Sequence, residues 1–178
     1  MIKNVIDFEK LFNQKFGDID RSTLSSLIEN KLRFDLGGKE VGLERIKKAN
    51  DRSNQILQYC FDESPIWLRI ILWDEKGEIN LRSAGLDIES ADNYFRDYTH
   101  ENVLYLHFEK FPALLNPVVT SIINYDMAEE PSANITCYFI DFDKSVIINI
   151  YDDRGMDVYS PNKIMINNLK NKFHKWLI

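Results

Sequence analysis

The sequence predicts an α+β fold: an antiparallel sheet of five to seven strands with helices packed against it, closing on a three-stranded meander and a C-terminal helix. Two observations carry this expectation. Apolar residues return at three- and four-residue spacings in the first, a central and the last stretch, with runs of β-branched and aromatic residues between them. The last of those runs are joined by AspPheAspLys and AspAspArgGly, links short enough for hairpins.

Taken in order, Ile2, Val5, Phe8, Phe12 and Phe16 line one side of an amphipathic helix that Gly17 stops. Residues 22–30 predict a short second helix. LeuArgPheAspLeuGlyGly at 32–38 alternates apolar and charged residues before a glycine turn, the pattern of a half-buried strand. Between Glu40 and Phe61 the apolar positions Ile46, Ala49, Ile56, Leu57, Cys60 and Phe61 fall at helical spacing, with Asp51 to Asn54 facing outward, and Ser64 and Pro65 end this longest helix. IleTrpLeuArgIleIleLeuTrp at 66–73 is too apolar on both faces for an edge strand, and AspGluLysGly with Ile79 to Arg82 predicts its hairpin partner.

Asp87 to Tyr98 predicts a surface helix capped by Asp87 or Ser90, and ValLeuTyrLeuHisPhe at 103–108 a strand. Asn116 and Pro117 open a helix through about Tyr125. Two strands then flank AspPheAspLys, and the second runs through AspAspArgGly into MetAspValTyr, so that 135–159 reads as the meander. Ser160 and Pro161 open the last helix, which turns Met165, Leu169, Phe173, Trp176 and Leu177 inward.

The 178 residues, 44% hydrophobic and 12% aromatic, are enough for one domain over 1–178 that buries about 70% of its unfolded surface. Cys60 and Cys137 sit inside apolar runs, which predicts reduced core thiols rather than a disulfide framework. Acidic residues interrupt the N-terminal apolar stretch, and no run reaches the roughly 20 residues of a membrane helix, so the expected location is the cytoplasm, without membrane contact. A net charge of −6 argues against nucleic acid, because phosphate contacts need a basic surface.

The run TyrAspAspArgGlyMetAspVal at 151–158, followed by a helix ending HisLysTrpLeuIle at 174–178, resembles the bacterial domain-of-unknown-function family 3885. An upstream ArgPhe-acidic-LeuGly strand belongs to the same resemblance and is here Arg33, Phe34, Asp35, Leu36 and Gly37. The resemblance implies no activity, cofactor or catalytic residue. By analogy with other small acidic bacterial proteins it admits an immunity protein that neutralises a toxin.

Asp152, Asp153, Arg154 and Asp157 form the one dense charged cluster and are the candidate partner-binding residues. The same residues suit a plain hairpin turn, in which Gly155 supplies a positive φ and Arg154 pairs with a neighbouring carboxylate. Their spacing is not that of a calcium loop, and Asp141 and Asp143 lie at the other turn of the meander. His100, His107 and His174 fall in no metal-ligand motif, and phosphate loops and nucleophile elbows are absent from the sequence. A Cys137–His107 dyad would need neighbouring strands and a thiol less buried than this one. Trp67, Trp73 and Tyr151 would matter for binding only if exposed.

These features favour a non-enzymatic protein-binding domain without cofactor, with a basic partner such as a toxin. A hydrolase or metal-dependent enzyme at the acidic turn and a structural homo-oligomeric subunit stand as alternatives, and the oligomeric state is left open.

Overall fold

The computed structural model describes residues 2–19, 24, 26–99, 102–110 and 115–178. Its strands are β1 (Lys31–Asp35), β2 (Ile66–Leu72), β3 (Asn93–Asp97), β4 (Asn102–Phe108), β5 (Ile135–Asp141), β6 (Val146–Ile150) and β7 (Gly155–Tyr159). They form one sheet in the order β1-β7-β6-β5-β2-β4-β3, with every pairing antiparallel. The helices are α1 (Val5–Phe16), α2 (Gly42–Phe61), α3 (Gly77–Ser83), α4 (Asn116–Asp126) and α5 (Lys163–Lys172), with 3₁₀ turns at Ile88–Ser90 and His174–Trp176. The α+β class, the β5-β6-β7 meander and the C-terminal helix are as the sequence predicts.

Side-chain alternation along the strands divides the core into two layers. Leu68 and Ile70 of β2, Leu104 and Leu106 of β4, and Cys137 and Phe139 of β5 pack with α2, α4 and α5. Trp67, Tyr105, Tyr138 and Ile140 face the other way and are covered by Phe8, Phe12 and Phe16 of α1. The Asn4 side chain caps α1 by accepting from the Asp7 N–H at 3.0 Å. Phe8 then meets Tyr105, Phe142 and Trp67 edge-on, with ring centroids 4.8, 5.3 and 5.6 Å away. Burying a ring of this size contributes about 1.5–3 kcal/mol, and α1 places three of them on this face.

Several local expectations are overturned. Residues 77–83 are helix α3, not the second strand of a hairpin. The reason is lateral: β2 already has β4 on one side and β5 on the other, so no position beside it remains. Residues 87–98 are not a surface helix. Asp87 does cap a short 3₁₀ turn, accepting from the Glu89 N–H, but Asn93–Asp97 then pairs with β4, where Phe95 stacks on Tyr105 at 4.8 Å.

Of the proposed helix at 22–30, residues 22, 23 and 25 lie outside the described residues, and 26–30 contain no helix. Within α2, Ser53 is fully buried rather than outward. The last helix is capped by Asn162, whose side chain accepts from the Ile164 and Met165 N–H groups, while α4 starts after Leu115 without a side-chain cap, with Pro117 in its first turn.

Candidate functional site

The charged turn is built by strand pairing. β7 lies between β6 and β1, with Arg33 opposite Asp157 and Asp35 opposite Gly155. Arg33 presents its fork to Asp157, Nε donating at 2.8 Å and Nη2 at 2.9 Å, while Lys31 Nζ stands 3.9 Å away. The Asp157 carboxylate hydrogen bond raises the Arg33 guanidinium above its usual range, against the opposing effect of burial. Arg45 reaches from α2 to Asp153, and its Nη1 also donates to the Gly38 carbonyl at 3.0 Å. Asp152 accepts from the Arg154 backbone N–H and Nε, each at 2.7 Å.

All three aspartates are therefore buried, at 5%, 3% and 1% exposure for Asp152, Asp153 and Asp157, and each is held by an arginine. Arg154 is the member that reaches solvent, with its side chain 68% exposed.

This turn joins segments far apart in sequence. The Leu36 N–H donates to the Arg154 carbonyl at 3.0 Å, the Ile178 N–H donates to the Arg33 carbonyl at 3.0 Å, and Leu177 bridges to Phe34. Arg52 of α2 binds Asp35 at 2.8 Å and lies 5.2 Å from the Trp176 ring centre, while Arg33 lies 5.4 Å from that of Tyr151. The upstream ArgPheAspLeuGly, the AspAspArgGly turn and the C-terminal TrpLeuIle thus form one structural unit. Among the described residues no group of three or more His, Cys, Asp or Glu side chains is placed to hold a metal ion.

The other candidates separate in space. Asp141 is buried and its Oδ1 accepts from the Lys144 N–H at 2.8 Å, whereas Asp143 is exposed. Cys137 and His107 lie on opposite faces, on strands with β2 between them, and cannot form a dyad. Burial pushes the Cys60 thiol up to about 12 and raises that of Cys137 as well. His100 lies outside the described residues, while His174 is on the exposed side of the C-terminal turn. Trp67 is buried beneath α1; Trp73 is 53% exposed and its indole N–H donates to Thr136 Oγ1 at 2.9 Å.

An opening lies at one end of the sheet, where α1, the starts of β2 and β3, the end of β4 and the β5–β6 turn meet. Here a cleft of about 660 Å³ is lined by Leu11, Pro65, Trp67, His107 and Phe142, with Lys3, Asp92, Glu109 and Asp143 at its polar edge. The His107 ring lies on the Trp67 indole with centroids 4.7 Å apart and planes 30° apart. The Glu109 N–H donates to Asp92 Oδ2 at 2.7 Å, and Asn93 Nδ2 donates to the Ile2 carbonyl at 2.9 Å, which ties the chain start to β3. Asp92, Glu109 and Asp143 are exposed, and no described residue forms an ion pair with them. Sequence reasoning missed this grouping, since its residues come from five separate segments and share no motif.

Fold and site together define an α+β protein with an arginine-locked sheet edge and an acidic, aromatic-floored cleft. Within that class the chain belongs to the family described as Domain of unknown function (DUF3885), whose model matches residues 8–178. Neither a search of curated proteins nor a search of solved structures finds a match. Among the described residues no helix is long and apolar enough to cross a membrane.

Proposed function

We propose that the chain is a non-enzymatic binding domain of the bacterial cytoplasm whose partner is a basic protein, with neutralisation of a toxin by an immunity protein as the setting that fits best. The observation that carries this reading is the cleft: an apolar floor rimmed by carboxylates that pair with no cation among the described residues. Together with a net charge of −6, such a rim attracts a basic surface over distance and accelerates encounter. At the 152–157 turn the carboxylates are already spent on Arg154, Arg45 and Arg33, so a partner there would meet Arg154 first.

The test is capture from bacterial cytoplasm with the full chain as bait at about 50 mM and 500 mM salt, where screening lengths differ about threefold. One stoichiometric basic protein is expected, bound more weakly at high salt and associating at least about tenfold more slowly with an E109K/D143K variant. Capture insensitive to both salt and charge reversal would overturn the reading. The alternative of a metal enzyme at the turn requires calcium, magnesium or manganese to displace arginines from Asp152, Asp153 and Asp157, and predicts calorimetric heat at millimolar ion.

A further inference from the structure

We propose that the cleft is a subsite for an arginine side chain, a step that rests on the binding reading above and names what the partner inserts. Its volume, about 660 Å³, lies within the range of sites that enclose a small ligand and leaves room for a side chain with its flanking backbone. The lining divides by chemistry. The half-buried His107 ring, which lies over Trp67, and the apolar Leu11, Pro65 and Phe142 suit a flat cation and an aliphatic stem, and Asp92, Glu109 and Asp143 place negative charge at the edge. Lys3 and His107 are the basic side chains lining it among the described residues. Glu109 and Asp143 have no described side-chain partner, and Asp92 uses only Oδ2 internally.

Guanidinium fits this combination better than ammonium. It is planar, less strongly hydrated, and carries five donors in a fork that can serve two carboxylates while its face lies on a ring. The fold uses the same chemistry twice within itself. Arg33 forks onto Asp157 beside the Tyr151 ring, and Arg52 binds Asp35 beside the Trp176 ring. At the cleft the carboxylates and the aromatic floor are in place, and no arginine lines it among the described residues.

The experiment is an NMR titration of the ¹⁵N-labelled full chain with N-acetyl-arginine methylamide, alongside the lysine and citrulline counterparts. Expected are saturable shifts of the Trp67 indole N–H and of the Asn93 and Glu109 amides, with a dissociation constant of roughly millimolar for so small a probe. The lysine compound should bind several-fold more weakly, and uncharged citrulline should leave the spectrum unchanged. In E109Q/D143N, whose two changes are at exposed positions, affinity should fall about tenfold, whereas D51N, at an exposed position of α2 on the other side of the sheet, should bind as the parent does. Equal binding of citrulline, undiminished binding by a folded E109Q/D143N, or shifts centred away from the cleft would each overturn the subsite. Its failure is separable from that of the binding reading. A captured partner that ignores E109Q/D143N but weakens with salt keeps the partner and removes the subsite, while saturable arginine binding with nothing captured does the reverse.

Discussion

At the scale of single residues, the 151–157 turn shows how tightly charge and shape are matched. Gly155 does not take the positive φ expected of it but opens β7, and glycine is needed there for close approach: a Cβ would come within 2.8 Å of Tyr151 Cζ and 3.0 Å of the Phe34 carbonyl oxygen. Gly155→Ala should therefore cost about 1–3 kcal/mol in urea unfolding, because neither the ring nor the β1 backbone can yield freely. Removing Asp157 leaves the Arg33 guanidinium without the carboxylate it forks onto. Asp157→Ala should lower stability by about 2–4 kcal/mol, below the full loss for a buried pair since Arg33 keeps partial access to water, and an added Arg33→Met should restore part of it. Such pairing is invisible in sequence: AspAspArgGly reads as a turn, but nothing local says that Arg45 and Arg33, more than a hundred residues upstream, will hold its carboxylates.

At the scale of elements, α2 ends without a basic residue in its last turn. Its C-terminal carbonyls are met instead from the β5–β6 turn, where Lys144 Nζ donates to Cys60 O at 3.0 Å and Phe61 O at 3.2 Å. Lys144→Met should speed amide exchange in that turn selectively and cost about 1 kcal/mol. A second element-scale link joins α3 to its surroundings: Arg82 pairs with Glu78 and Glu89, and Arg96 of β3 pairs with Glu78.

The Arg82 hydrogen bond holds the Glu89 carboxyl down at about 2; burial raises Glu78, but hydrogen bonds from Arg96 and Arg82 outweigh it and leave it low. Both groups sit below their ordinary value of 4.5 in the folded state. Their contribution is thus present above that value and lost as pH falls through it toward about 2. Arg82→Gln should flatten the loss of thermal stability over this acid window, and an unchanged acid limb would contradict the assignment. The same region is where the element reading failed. Ile79 to Arg82 and Tyr94 to Asp97 are short, and which became helix and which became strand was settled by β4 needing an edge partner while β2 had two.

At the scale of the whole molecule, both thiols lie inside the layer between the sheet and α2, α4 and α5. Neither should react with a thiol reagent in the folded protein, and two equivalents should appear together at the urea transition; reaction of one thiol well before the other would mean that this layer opens piecemeal. By itself the sequence determined the α+β class, α1 and its phenylalanine stripe, the long α2, the central position of β2, the closing meander and the inward face of the C-terminal helix. These are written in local periodicity, which one segment displays without reference to any other. Only the tertiary structure decided the strand order, the roles of α3 and β3, the burial of the turn's aspartates beneath arginines, and the cleft where five segments converge. Those features depend on neighbours brought together across the sheet, and no spacing within a single segment encodes which neighbour a side chain will meet.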